Sequence, residues 1–131
     1  MFPAGFVAAD NDVNSCLQES DLAEIGASMV ADFERRVASI PQDLCAPFHT
    51  QAQHLETQLL TVYQMVAKMT RRVEDLDQVS KLWRCIVDMC DGSLTQLKSL
   101  TEAHPYCGAQ SYYDKVLDLR NKCLRLQEMH S

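Results

Sequence analysis

Six cysteines and four histidines are the residues of this chain best suited to chemistry. Cys85, Cys90, His104 and Cys107 bracket a helix end and a turn, which is where a zinc site could be assembled. The spacing opposes it. Cys85 and Cys90 are five apart, about 140° round a helix, and no CxxC pair supplies the close ligands that structural zinc sites use. His49 and His54 are also five apart and share a face poorly. Cys–His nucleophilic catalysis needs a thiol beside a base in a pocket. No glycine-rich elbow, phosphate loop or paired-carboxylate motif accompanies these residues, so the sequence predicts a non-catalytic protein with no metal and no cofactor.

Composition narrows the class further. Net charge is −6 with pI near 5.1, which lacks the electrostatics of a nucleic-acid or anionic-membrane binder. The basic pairs Arg35-Arg36 and Arg71-Arg72 lie beside Glu34, Glu74 and Asp75 and read as solvated helix faces. No apolar run approaches the ~20 residues that span a bilayer, and the apolar start Met1 to Ala9 lacks the basic flank of a signal peptide. The expectation is therefore reduced thiols in the cytosol or nucleus. The even cysteine count argues the other way, toward a secreted, disulfide-bonded bundle.

What must position any site is a heptad seam. Counting by sevens from Phe48 gives Leu55, Val62, Met69, Leu76, Trp83, Cys90 and Leu97, a complete d series. The a series is Ala52, Leu59, Val66, Val73, Ser80, Val87, Leu94 and Thr101. The positions just before a become apolar at Met65, Val79, Ile86 and Leu100, so the stripe is narrow at first and widens toward its C-terminal half. A widened stripe asks for more than one neighbouring helix.

With four glycines and four prolines in 131 residues, the sequence predicts an all-α fold. Residues 1–13 read as a loose arm and 14–131 as one helical domain. Helices are expected over about 15–40, 48–103 and 110–130. Ser15 with Gln18 spaces like a capping box, Pro41 stops the first helix, and His104-Pro105-Tyr106-Cys107-Gly108 breaks the second. The central helix would be about 84 Å long at ~1.5 Å per residue. Two places could divide it: Asp91-Gly92-Ser93 and the acidic stretch Glu74 to Asp77. The hydrophobic phase is kept through both, which favours continuity.

Such a seam is longer than the flanking helices can cover, and an uncovered apolar stripe is normally a partner site. The expected interface is Leu55, Leu59, Val62, Met65, Val66, Met69, Val73, Leu76, Val79, Trp83, Ile86, Val87, Leu94 and Leu97. In size and heptads the layout resembles the small helical subunits of eukaryotic multi-subunit assemblies, such as organelle-biogenesis, lysosome-positioning or kinetochore complexes. The sequence thus predicts an elongated bundle or coiled coil that acts as an adaptor, joining other helical proteins in a hetero-oligomer. The alternative is a self-contained four-helix bundle, broken near Gly92 or Asp75, that binds a ligand or acts as a secreted disulfide-bonded signal.

Overall fold

The computed structural model describes residues 18–41 and 44–130. They form four helices and no strand: α1 (Glu19–Ala38), α2 (Ala46–Thr70), α3 (Leu76–Ala103) and α4 (Gln110–Met129). The expected arm at 1–13 and the cap at Ser15 lie outside the described residues. α1 opens at Gln18, whose backbone N–H donates to the Asp21 carboxylate at 2.9 Å. Arg35 and Arg36 sit in its last turn, where cations complement the carbonyl end of a helix. Pro47 occupies the first turn of α2, where its missing N–H costs nothing.

The continuous helix expected over 48–103 is two helices. α2 ends at Thr70, and residues 71–75 turn the chain before α3 begins. The Asp75 carboxylate accepts from the backbone N–H groups of Asp77 and Gln78 at 3.0 and 3.4 Å, which makes it the N-cap of α3. Glu74 and Asp75 also place negative charge at the C-terminal end of α2, where the helix dipole disfavours it. Phase continuity concealed the break, because a turn whose flanking helices pack on one another needs no phase shift. Gly92, by contrast, lies inside unbroken α3. Where one helix of about 84 Å was expected, helices of about 38 and 42 Å lie side by side.

Side-chain contacts give the directions. Tyr63 meets Trp83 with ring centroids 5.5 Å apart and Phe48 meets His104 at 5.8 Å, so α2 and α3 are antiparallel. Ser80 Oγ donates to the Gln127 carbonyl at 3.4 Å and Arg120 Nε to Asp91 at 2.9 Å, so α3 and α4 are antiparallel too. Cys85 Sγ reaches the Glu19 carbonyl at 3.7 Å and Gln96 donates to Glu34 at 2.8 Å, so α1 runs parallel to α3. The topology is up-down-up-down, with α3 packed against all three other helices and most extensively against α4 and α1.

Gly26 explains the closeness of α1 to α3. It is buried, and a Cβ there would collide with Met89 Cγ. Its place beside the apolar stripe of α1 is thus a packing position.

Candidate interaction site

The seam faces the molecule's own interior. Of the fourteen residues expected at a partner interface, Leu55, Leu59, Val62, Val66, Val79, Trp83, Ile86, Val87, Leu94 and Leu97 are buried in the core. Met65, Met69 and Val73 are half-buried against it. Leu76 alone is well exposed, at 59%. The burial has a simple cause. Once the chain turns at 71–75, α2 packs back on α3, and α1 and α4 pack on α3 more extensively still. The seam's length therefore gives no measure of uncovered surface.

The chemistry-bearing residues are scattered along the bundle. Cys85 is buried near the start of α1, and burial, then the charges of Glu19 and Asp88, push its thiol up to about 11. Cys90 and Cys123 are wholly buried. Cys107 lies beyond the end of α3, and His104 is the buried cap of that helix. Among the described residues no group of three or more His, Cys, Asp or Glu side chains is placed to hold a metal ion. His49 Nδ1 is hydrogen-bonded to the Tyr112 hydroxyl at 3.2 Å, an arrangement that ties α2 to α4.

Cys45 and Cys107 are joined by a disulfide, with Cα atoms 5.2 Å apart. This corrects the expectation that every thiol is reduced. Cys45 is the N-cap of α2, and Cys107 lies in the turn between α3 and α4. The bond therefore links the two loops at one end of the bundle. A sequence signal for it existed: both cysteines flank proline-bearing element ends, and the total is even. Which of several pairings forms was not legible without the tertiary arrangement.

The residues preceding these two cysteines are the notable surface feature. Leu44 is 46% exposed and Tyr106 is 96% exposed, against a core in which most large apolar side chains are covered. The disulfide holds both loops together, so the two apolar side chains project from one end of the molecule. Around Tyr106 the backbone forms a tight turn. Pro105 precedes it, the Cys107 N–H donates to the His104 carbonyl at 3.1 Å, and Gly108 takes φ +68°, a left-handed turn that only glycine adopts freely. Nearby, Lys115 Nζ lies 5.7 Å from the Tyr112 ring centre. An exposed aromatic on a fixed turn gives up little conformational freedom on binding and has both an apolar face and a hydrogen-bonding tip.

No family model, curated protein or solved structure matches this chain. Its functional reading rests on its own geometry.

Proposed function

We propose that this chain is a non-catalytic interaction module, a self-contained helical bundle that recognises a protein partner through its disulfide-tied end. The observation that carries the reading is the exposure of Tyr106 and Leu44 on loops fixed by Cys45–Cys107, while the seam is filled from within. Tyrosine is enriched among the residues that dominate binding energy, and a rigid mount favours that use. The partner chemistry implied is a shallow apolar pocket rimmed by a hydrogen-bond acceptor for the tyrosine hydroxyl. In this reading partner helices do not enter the seam.

The disulfide adds a second element. Such bonds persist in oxidising compartments and are rare in the cytosol. The reading therefore takes up the disulfide-bonded module in preference to a cytosolic coiled-coil adaptor. No described helix is long and apolar enough to cross a membrane.

The test is affinity capture with the full chain, wild type against Tyr106→Ala and Leu44→Ser, from the cell that makes it and from its culture medium. Specific partners that disappear with either substitution, while far-UV circular dichroism is unchanged, support the reading. Partners retained by the double variant, or captured only by the reduced protein, overturn it.

A further inference from the structure

The turn between α2 and α3 reads Arg71-Arg72-Val73-Glu74-Asp75, with its cations first and its anions last. Val73 is half-buried, and the charged residues on either side of it are exposed. Among the described residues Arg71, Arg72 and Glu74 have no ion-pair partner, whereas Asp77 and Arg84 just beyond the turn are paired with Lys81 and Asp88. Two apolar side chains stand at the same end of the bundle. Leu76 opens α3 and is 59% exposed, and Met129 closes α4 and is 73% exposed. The contact of Ser80 with Gln127 at 3.4 Å sets their level: Leu76 lies one helical turn before Ser80, and Met129 lies just past Gln127. This end is opposite the one tied by Cys45–Cys107.

We propose that two copies of this chain associate end to end through this surface, about a two-fold axis passing near Val73. Such an axis runs the two turns antiparallel and uses the same patch on both sides, so the patch must complement itself. The order of the charges meets that condition. With Val73 facing Val73, Arg71 stands across from Asp75 of the second copy and Arg72 from its Glu74, and both pairs recur on the other side of the axis. A parallel approach sets arginine against arginine, so the charges select the orientation.

Exposed ion pairs add little affinity. The attraction comes from covering Leu76 and Met129, which a single copy leaves in water. Asp75 keeps its place as the cap of α3, because a carboxylate that accepts from the Asp77 and Gln78 N–H groups has lone pairs left for an arginine. The association goes beyond the proposed function and does not depend on it. Joined to that reading, it sets the two Tyr106 tips at opposite ends of the pair, about 80 Å apart or twice the length of α3, and makes the assembly bivalent.

The experiment is sedimentation equilibrium of the full oxidised chain from about 10 μM to about 1 mM, the range in which so small a contact is populated. The expected result is a mass that rises with concentration from 14.8 kDa toward twice that value. Arg72→Glu and Glu74→Arg should each weaken association about tenfold, since each sets like charges across the axis. An equimolar mixture of the two variants should recover it, which also shows that both are folded. Leu76→Ser should weaken association, and Tyr106→Ala, at the far end, should leave it unchanged. A wild type that is monomeric throughout overturns the proposal. So does association that ignores Arg72→Glu, Glu74→Arg or Leu76→Ser, a mixture no stronger than its components, or a dimer lost with Tyr106→Ala. Partner capture through Tyr106 is read separately, so either reading can fail while the other stands.

Discussion

Residue identities carry two opposite glycine effects and one titration. A Cβ at Gly26 would meet Met89 Cγ, a side-chain atom held inside the core, whereas a Cβ at Gly92 would rest on Val30 at an ordinary 3.4 Å. Gly26→Ala should therefore destabilise by about 1–3 kcal/mol through overpacking, net of helix propensity. Gly92→Ala should stabilise by up to ~1 kcal/mol, since the helix gains propensity without a clash. Urea unfolding midpoints of the two variants, moving in opposite directions, check both.

The buried thiols predict an alkaline limit. Cys90 and Cys123 are held near 12 in the fold, above the ordinary thiol value of 9.0. A raised folded value means that the unfolded chain sheds these protons first as pH rises. The stability they contribute is fully present below pH 9 and is lost between 9 and 12. With both residues as thiols, the urea midpoint should fall between pH 8 and pH 10.5. The fall should shrink in Cys90→Ala and Cys123→Ala, and a midpoint constant over that interval in the parent chain would contradict the assignment.

At the scale of elements, the turn at 71–75 and the disulfide decide the topology. Asp75 caps α3 through Asp77 and Gln78, so Asp75→Ala should cost about 1 kcal/mol, the usual value of an N-cap. A stronger change follows from the uninterrupted phase on both sides of the turn. Replacing Arg71, Arg72, Glu74 and Asp75 together with alanine removes the cap and favours helix through the break. α2 and α3 then extend as one rod whose seam no longer meets itself, and a second copy is the ready partner for it. The expected outcome in light scattering is a concentration-dependent dimer. A strictly monomeric variant would show that packing of α1 and α4 alone enforces the turn.

The disulfide spans 62 residues of sequence. In the chain-entropy picture a loop of that length is worth about 4 kcal/mol. Removing it as the Cys45→Ser, Cys107→Ser pair should lower the thermal midpoint sharply while the helices, packed through α3, remain detectable by circular dichroism at low temperature. Tyr106→Ala should leave the midpoint within about 0.5 kcal/mol equivalent, since exposed positions away from special features contribute little. That separation would be consistent with the binding role proposed for Tyr106.

For the whole molecule, the core is shared by all four helices. Leu22, Phe48, Leu55, Ile86, Leu97 and Val116 are almost wholly buried and come from every one of them. Ile86→Asp is consequently expected to unfold the chain, because it places a charge in an interior with no partner for it. Were the seam a partner surface, the same substitution would abolish binding and spare helicity. Circular dichroism of that variant discriminates between the two directly.

The sequence by itself determined the helical class, the breaks at Pro41 and at His104–Gly108, the last helix within a residue of its ends, and the apolar stripe of the seam, which it assigned to a partner. Those features are local, set by proline, glycine and an apolar spacing close to the 3.6 residues of one helical turn. It left undecided whether the seam's complement was another chain or its own other half. Val66, Val73, Val79 and Ile86 read the same in either case, because apolar periodicity specifies that a face is buried and not by what. The turn at Asp75 depends on a cap of about 1 kcal/mol and on the packing gained when α2 folds back on α3. The second term exists only in the tertiary structure. The same holds for Cys45 and Cys107, which lie 62 positions apart in the chain and meet because two helix ends do. Tyr106, one exposed aromatic among four tyrosines, acquires its meaning from that meeting.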